Sequence, residues 1–316
     1  MAKKLCNVTK ITREEWLEYR RKGIGGSDAA SVVGLSPYRG RFALWADKKG
    51  LLDEKEDNEQ MRQGRDLEEY VAQRFCEATG KKVRRNNYMY RHDLFDFLQA
   101  NIDREIVGEN AGLECKTTSV YNKHDFEGGE VPLVYYCQCM HYMAVMGYDR
   151  MYLAVLVLNK GFYWFTIERD EQEIKNLMQA EFDFWMKNVV ANVQPEADGN
   201  EDTKKVLAKV FPAQNAHNGQ AFLYEFDSAM TEYSQLQKTI KELTYRADEI
   251  KNQMVQALGN STYGLLSNYS VSNKVQSKTT VDTDMLKSRY PDIYEECKKT
   301  SEYKVFRTTS LKNKEK

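Results

Sequence analysis

The segment from residue 97 to residue 118 constrains the fold more than any other part of the sequence. It contains two strand-like apolar stretches, which end in Asp103 and in Glu114-Cys115-Lys116, and glycines mark a reversal between them. Because residues i and i+2 of a strand share one face, the side chains of Glu114 and Lys116 point the same way. A hairpin would bring Asp103 beside Glu114.

This patch predicts a site for a hard divalent cation. Two carboxylates and an ammonium group would surround a cation that prefers oxygen ligands, with Lys116 placed at a water molecule or a phosphate. For the patch taken alone, an ordinary salt-bridged hairpin is the alternative.

Composition indicates a folded, reduced protein. The chain has 316 residues, 41% of them hydrophobic, and a net charge of −1. Any contact with nucleic acid would therefore have to come from local basic clusters, such as residues 20–22 and 81–85, rather than from net charge. The six cysteines form no CxxC pair, and we find no signal peptide and no apolar run long enough to span a membrane. We expect a cytoplasmic location without membrane attachment.

The order of predicted elements favours an α/β fold. Strands are expected at about 82–90, 94–103, 112–118, 151–158 and 161–167. Helices are expected at 12–22, 29–33, 42–49, from Gly64 to Gly80, at 133–146 and at 171–192. Strands with interspersed helices give a mixed sheet that is covered on both faces.

The chain is predicted to contain two folded parts. Residues 1–200 form the α/β domain, residues 201–226 a linker with a short helix, and residues 227–316 a C-terminal α+β extension. The extension begins with a long helix, 227–258, and continues as a small tail with strands at 270–278 and 303–308 and a helix near 284–299. Apolar residues recur along the long helix at a spacing close to a heptad, so packing on its own domain and pairing with a partner helix both stay open.

Three further motifs accompany the acidic patch. They are Gly64-Arg65-Asp66-Leu67-Glu68, Tyr135-Tyr136-Cys137-Gln138, and the loop Arg20-Arg21-Lys22-Gly23-Ile24-Gly25-Gly26-Ser27-Asp28. The loop is expected to place free backbone N–H groups at the start of a helix that Ser27 or Asp28 caps, which is a natural seat for a phosphate. The four histidines are scattered along the sequence and are interpreted as structural or surface residues.

Together and in this order, the motifs resemble those of the YqaJ-type viral recombinases. That family belongs with the phage lambda-type alkaline exonucleases in the PD-(D/E)XK nuclease superfamily. The resemblance covers residues 12–200 and implies a restriction-endonuclease-like core, with a central mixed β-sheet flanked by helices. The superfamily's proline two residues before Asp103 is replaced by Asn101.

The resemblance also implies a role for each residue of the acidic patch. Asp103, Glu114 and the backbone carbonyl of Cys115 would bind Mg²⁺, with Mn²⁺ as a substitute. Glu68 would hold a second ion or the water on the first. Lys116 would orient or deprotonate the attacking water, or stabilise charge on the phosphate.

The remaining roles concern the DNA. Gln138 would position the scissile region or Lys116, and Arg20 and Ser27 would grip the 5′-terminal phosphate. The implied function is a Mg²⁺-dependent 5′→3′ exonuclease that acts on double-stranded DNA ends and feeds phage-type homologous recombination. It would act in the cytoplasm of a bacterial host, as a homo-oligomer of phage or prophage origin, together with a single-strand annealing protein.

Two alternatives to this function are kept. One is another nuclease of the superfamily, which acts on single-stranded or flap DNA during repair. The other is a catalytically idle DNA-binding subunit, although a mere DNA binder gains nothing from acidic residues that face phosphates.

Overall fold

The computed structural model describes residues 2–53, 57–120, 126, 128–216 and 219–309. The chain forms two compact units. The first extends to Asn215 and also includes the segment from Tyr303 onward, and the second comprises Ala216–Glu302. The domain boundaries predicted from the sequence lie at residues 200 and 226.

The first unit is built from seven α-helices and nine strands among the described residues. The helices are α1 (Arg13–Arg21), α2 (Gly26–Val32), α3 (Arg41–Lys48), α4 (Glu59–Thr79), α5 (Leu133–Met146), α6 (Glu171–Asp183) and α7 (Glu201–Val210). The strands are β1 (Lys3–Asn7), β2 (Ile24–Gly25), β3 (Val83–Arg85), β4 (Tyr88–Arg91), β5 (Leu98–Asn101), β6 (Arg104–Ile106), β7 (Ala111–Thr118), β8 (Arg150–Val157) and β9 (Gly161–Glu168).

Two sheets organise these strands. The larger has the order β3-β6-β7-β8-β9, and the smaller has the order β1-β4-β5-β2. In the larger sheet β7 and β8 run parallel, while the other neighbouring strands run antiparallel. A parallel pair needs a crossover connection, and α5 lies within it. The predicted mixed sheet flanked by helices is confirmed.

The larger sheet is buried on both faces, and alternate residues of β8 show this directly. Leu153, Val155 and Val157 pack into the main hydrophobic core, which also receives α2, α5 and α6. Tyr152 and Ala154 point to the other face and pack against α4. Because the side chains of a strand alternate between faces, burial on both sides explains why β8 reads as a nearly continuous apolar run.

The strand predicted at 82–90 is broken into β3 and β4, and the strand predicted at 94–103 is the shorter β5, after which β6 begins at Arg104. β3 and β6 pair in the larger sheet, whereas β4 and β5 pair in the smaller one. At the two breaks, side chains accept backbone N–H groups. Asn86 Oδ1 accepts the N–H of Tyr88 at 3.0 Å, and Asp103 Oδ2 accepts the N–H of Cys115 at 2.8 Å. Asp103 therefore lies where the chain passes from one sheet to the other.

Several helix boundaries agree with the sequence. The capping box at Thr12 and the end of α5 at Gly147, which has a left-handed φ of 72°, are confirmed. The start of α4 at Gly64 was wrong, because the Asn58 side chain accepts the N–H of Met61 and begins the helix earlier. The predicted helix 171–192 is α6 followed by a π-helical segment, Phe184–Val190.

The second unit contains the predicted long helix and little regular structure beyond it. Helix α8 (Asp227–Leu258) matches its predicted bounds and is followed by a hairpin of β10 (Tyr263–Leu265) and β11 (Ser270–Ser272). The single helix predicted near 284–299 is two short helices, α9 (Thr283–Arg289) and α10 (Pro291–Cys297). The strand predicted at 303–308 is wrong, since that segment has no regular structure.

Two properties apply to the whole of the described chain. No helix within it is long and apolar enough to cross a membrane. All six cysteines lie within it and are unpaired thiols.

Two glycines should respond oppositely to the same substitution. A Cβ at Gly23 would lie 2.5 Å from the backbone oxygen of Phe97, so Gly23→Ala should destabilise the protein by about 1–3 kcal/mol through overpacking. A Cβ at Gly64, inside α4, meets nothing within 4 Å, so Gly64→Ala should stabilise the protein by about 0.5–1 kcal/mol. Urea unfolding of both variants would measure this, and equal effects would contradict it.

Candidate metal and phosphate site

The hairpin of β6 and β7 brings the predicted acidic residues together. Arg104 pairs with Leu113 in the antiparallel register, so Asp103 reaches the strand position of Glu114 and Cys115. The carboxylate of Asp103 accepts the Cys115 N–H at 2.8 Å. The peptide group between Glu114 and Cys115 therefore belongs to the same patch as the Asp103 carboxylate.

Glu114 is the most strongly held acid of the patch. It is 4% exposed, and its Oε1 accepts hydrogen bonds from Lys116 Nζ and from Gln138 Nε2, each at 2.6 Å. The second oxygen, Oε2, is buried and has no hydrogen-bond partner among the described residues. A buried carboxylate oxygen without a donor is costly, so this atom is suited to a cation.

Glu68 reaches the patch through an arginine that the sequence analysis missed. Arg104 is 2% exposed, and its Nη1 donates to Glu68 Oε1 at 2.5 Å and to the backbone oxygen of Asp103 at 2.7 Å. Its Nη2 donates to Glu69 at 2.9 Å. The sequence feature that could have identified the role of Arg104 is its position between two apolar residues, Ile102 and Ile106.

The charges in the patch shift the acidity of their neighbours. Burial raises the pKa of Asp103 well above its usual range, and the negative charges of Glu114 and Glu68 raise it further. Burial lowers the pKa of Lys116, but the attraction of Glu114 and Asp103 outweighs burial and holds it above its usual range. Lys116 is therefore a cation at neutral pH, and the patch has an excess of carboxylates.

These residues fit a hard divalent cation in chemistry. Within the described ranges, no three His, Cys, Asp or Glu side chains are grouped closely enough to form a ready metal cluster. The reason is visible in the contacts, because Arg104 holds Glu68 while Lys116 and Gln138 hold Glu114. The oxygen donors, the bare Oε2 of Glu114 and the crowded charge of Asp103 nevertheless match what Mg²⁺ requires. Their role as ligands stays a prediction.

The structure also brings together the two residues predicted to bind the 5′-phosphate. Arg20, near the end of α1, donates from Nη2 to Ser27 Oγ at 2.7 Å. Ser27 lies in the first turn of α2 and is exposed. An arginine and a hydroxyl in direct contact can share one anionic ligand.

The glycine loop differs from its prediction. Helix α2 begins at Gly26, so Ser27 and Asp28 lie inside its first turn instead of capping a helix at Ala29. The N–H of Ile24 bonds to the Phe97 backbone oxygen, and the N–H of Gly25 bonds to the Asp28 carboxylate. These two N–H groups are used within the protein and are not free for a phosphate.

Rather than capping the predicted helix, the buried carboxylate of Asp28 holds the guanidinium of Arg20 in place. Its carboxylate is 1% exposed and contacts Lys48 Nζ at 2.7 Å, Arg39 Nη1 at 3.3 Å and Arg20 Nη2 at 3.5 Å. Burial raises the pKa of Asp28, but the three cations overcome that effect and hold it well below its usual range. Lys48 also donates to the backbone oxygen of Arg20 at 2.9 Å. Nothing in the local sequence of Lys48 identified this role.

One cavity joins the two groups of residues. It has a volume of about 150 Å³ and is lined by Arg20, Ser27, Asp103, Gln138 and Tyr142 among others. Helices α2 and α5 approach each other closely where Gly26 and Tyr142 line the cavity. This approach requires glycine at position 26, because a Cβ there would lie 2.5 Å from the Tyr142 ring. Asp103 of the acidic patch and the arginine–serine pair thus border the same space.

The histidines lie outside this chemistry as far as they are described. His141 is fully buried, where its ring contacts Glu181 Oε1 at 2.7 Å and the Gln99 backbone oxygen at 2.8 Å. His92 accepts backbone N–H groups from Leu94 and Phe95. His124 and His217 fall outside the described residues.

The sequence relationships agree with the motifs. Residues 15–149 match the family model of the YqaJ-like viral recombinase domain. The chain is also 37% identical over 308 residues to the protein YqaJ of Bacillus subtilis (strain 168), which spans 96% of this chain and 97% of that protein. The chain belongs to the YqaJ-like viral recombinase family. This membership connects it with recombination.

Several solved structures are similar in part. The alkaline exonuclease LHK-Exo from Laribacter hongkongensis is 19% identical with a TM-score of 0.47, covering 62% of this chain and 99% of that one. LHK-Exo in complex with dAMP gives 18% identity and a TM-score of 0.49, with coverage of 62% and 97%. A phage-related exonuclease from Haemophilus somnus 129PT gives 12% identity, a TM-score of 0.41, and coverage of 54% and 96%.

The crowded charge at Asp103 should cost stability in the absence of metal ions. Because its folded-state pKa lies above the unfolded value of about 3.9, ionisation favours the unfolded chain, and this cost grows as the pH rises through the folded-state pKa. Asp103→Asn keeps an oxygen that can accept the Cys115 N–H. It should therefore raise the melting temperature at pH 7 in a chelator, by at least about 2 °C.

The control is Glu105→Gln, two residues further along, where the carboxylate pairs with Arg84 instead. Thermal unfolding between pH 4 and pH 8 should show the gain for Asp103→Asn growing with pH and no gain for Glu105→Gln. A melting temperature of Asp103→Asn below that of the wild type across this range would show that the acidic patch is not strained.

Proposed function

We propose that this protein is a Mg²⁺-dependent 5′→3′ exonuclease that resects double-stranded DNA ends and leaves 3′ single strands for recombination by annealing. The observation that carries the proposal is the shared cavity. Arg20 and Ser27 border it as candidates for the terminal phosphate, while Asp103 and Gln138 border it beside the acidic patch. Membership of a viral recombinase family supports the same conclusion.

The acidic patch would hold the metal ions. Asp103 and Glu114, with the backbone carbonyl of Cys115, would bind one ion, and Glu68 would hold a second ion or a water. Mn²⁺ would substitute for Mg²⁺. Bound divalent ions would supply a hydroxide at neutral pH and neutralise the oxygens of the scissile phosphate. The contacts of Arg104 with Glu68 and with the Asp103 backbone would keep these two acids in position.

Lys116 would act through its positive charge. The attraction of Glu114 and Asp103 keeps it protonated, so it is suited to donating a hydrogen bond to the attacking water or to a phosphate oxygen. This favours orientation and charge stabilisation over removal of a proton. Gln138 Nε2 donates to Glu114 Oε1 at 2.6 Å, and Lys116 Nζ donates to the same oxygen. Together the amide and the ammonium group would fix the orientation of this carboxylate.

The arginine–serine pair would set the polarity of digestion. The guanidinium of Arg20 can donate two parallel hydrogen bonds to a phosphate, and the exposed hydroxyl of Ser27 can add a third. A terminal phosphate held there would keep the next phosphodiester bond at the acidic patch after each cut. The enzyme would then advance from the 5′ end.

The proposal also includes the surroundings of the reaction. The exposed 3′ strand would be taken up by a single-strand annealing protein, and the enzyme would work as a homo-oligomer in the cytoplasm of a bacterial host. Family membership supports the link to viral recombination from which these expectations follow.

Loss of Glu114 or Lys116 should remove cleavage and spare DNA binding. Glu114→Gln should abolish digestion of linear duplex in Mg²⁺, because a ligand charge is lost. Lys116→Met should lower the rate at saturating DNA by about 10²–10³-fold, which is typical of losing one charge-stabilising donor. Binding measured in Ca²⁺, which we expect to support binding but little cleavage, should change little.

The matched control is Lys160→Met, on the exposed turn between β8 and β9. If Lys116→Met lost DNA affinity while keeping its rate at saturation, Lys116 would be a phosphate anchor. If the wild type bound DNA without cutting it in Mg²⁺ or Mn²⁺, the chain would be an idle binding subunit.

Removal of Arg20 should reduce discrimination between DNA ends. The wild type should digest 5′-phosphorylated duplex faster than 5′-hydroxyl duplex, and Arg20→Ala should shrink this preference by about tenfold, since one charge-assisted contact is worth about 1.5–3 kcal/mol. The preference should also weaken as salt is added. Duplexes labelled at one end would report both polarity and run length.

Arg21→Ala, at the neighbouring position of α1, serves as the control and should keep the preference. Release of nucleotides from the 3′ end, or indifference to the 5′-phosphate, would leave the metal-dependent nuclease standing and remove the 5′→3′ polarity. Faster cutting of flaps or single strands than of duplex ends would identify a repair nuclease instead.

A further inference from the structure

Helix α8 carries an uninterrupted heptad pattern. Its a positions are Tyr233, Ile240, Ala247 and Met254, and its d positions are Leu236, Leu243, Ile250 and Ala257. These eight residues are called the seam below. Apolar residues at a and d along several consecutive heptads are the pattern of a coiled coil.

The seam is open to solvent within the described chain. Leu236 is 53% exposed, Ile240 54%, Leu243 66% and Ile250 42%. The helix has 32 residues and is about 48 Å long, and none of its residues is buried. A helix in a protein gains most of its stability by burying an apolar face, so the four exposed aliphatic side chains given above indicate a surface that packs against another helix.

We propose that the seam from Tyr233 to Ala247 is covered by the same helix of a second copy of this chain, in an antiparallel two-stranded coiled coil. Residues of similar size meet when Leu236 of one copy faces Ile240 of the other. In that register Tyr233 faces Leu243, and the small Ala247 faces the small Ala229. The layers from Tyr233 to Ala247 are therefore filled, whereas Ile250, Met254 and Ala257 extend beyond the start of the partner helix.

Charges beside the seam select the direction and the register. The flanking g positions include Glu232 and Arg246, and Lys251 occupies an e position. In the antiparallel register given above, Glu232 of each copy lies opposite Arg246 of the other, which gives two attractive pairs by symmetry. A shift of one heptad towards a longer overlap places Glu232 opposite Gln253 and loses both pairs. A shift in the other direction would need Glu225 as the partner of Arg246, and Glu225 lies before the start of α8.

A parallel pair would be repelled at the same positions. In a parallel coiled coil a g residue lies beside the e residue of the following heptad in the partner helix. Arg246 of each copy would then lie beside Lys251 of the other, and two like-charge pairs would form. Charge complementarity thus favours the antiparallel arrangement of two identical chains.

Solution mass of the full chain tests whether the seam is an interface. The double variant Leu236→Lys/Leu243→Lys should lower the average mass about twofold in sedimentation equilibrium. Tyr245→Lys is the matched control, because Tyr245 is 74% exposed but lies at an f position away from the seam. That control should keep the wild-type mass, and circular dichroism should show the α/β unit folded in both variants.

Charge reversal tests the direction. Arg246→Glu should raise the dimer dissociation constant roughly tenfold in the antiparallel arrangement, since two exposed ion pairs become repulsions. Adding Glu232→Arg to that variant should restore dimerisation. The control is Lys238→Glu, because Lys238 pairs with Glu242 within the helix as Arg246 pairs with Glu249, but lies at an f position.

Each other outcome overturns a defined part of the proposal. If the seam variants keep the wild-type mass, the seam is covered within its own chain or by a different protein, and the proposal is wrong. If Arg246→Glu tightens the dimer, the helices run parallel. These measurements do not depend on nuclease activity, so they stand or fall separately from the proposed function.

Discussion

Crowding of negative charge between β6, β7 and α4 is the constraint on which the candidate site depends. Three carboxylates, those of Asp103, Glu114 and Glu68, are drawn together there, and a fold cannot hold such a group without cations of its own. Arg104 and Lys116 provide them, each in direct contact with one of the acids. The buried Arg104 also ties α4 to the hairpin, so the residue that stabilises the charges also positions the helix that carries Glu68.

The same principle recurs on the other side of the cavity. Asp28 is buried among three cations, and this arrangement holds Arg20 where its guanidinium still reaches Ser27. The exposed side of the Arg20 guanidinium is thus held in place by a buried cluster of ion pairs around Asp28. This cluster limits the rotamers of Arg20, so less side-chain conformational entropy is lost when Arg20 binds an anion.

Local pattern predicted the parts of the site that depend on local geometry. The two-residue period of β7 placed Glu114 and Lys116 on one face, and the bounds of α5 and α8 followed from their helical periodicity and glycine ends. The missed parts depend on distant partners. β1 pairs with β4 across about eighty residues, and Lys48 contacts Asp28 from another helix. The neighbours of a residue in the sequence do not reveal such distant contacts. The breaks between strands involve the side chains of Asn86 and Asp103, which accept backbone N–H groups where a strand would use carbonyl oxygens.

Helix α5 contacts both sheets of the first unit within a single turn. Gln138 reaches Glu114 in the larger sheet, while His141, three residues later, reaches the backbone of Gln99 in the smaller sheet. Each residue of a helix is rotated by about 100° from the one before it. A single residue inserted or deleted between Gln138 and His141 would therefore turn one of the two side chains away from its partner. Evolution can exchange residues in this helix, but a change in the number of residues between these two positions would break the connection of α5 to one of the two sheets.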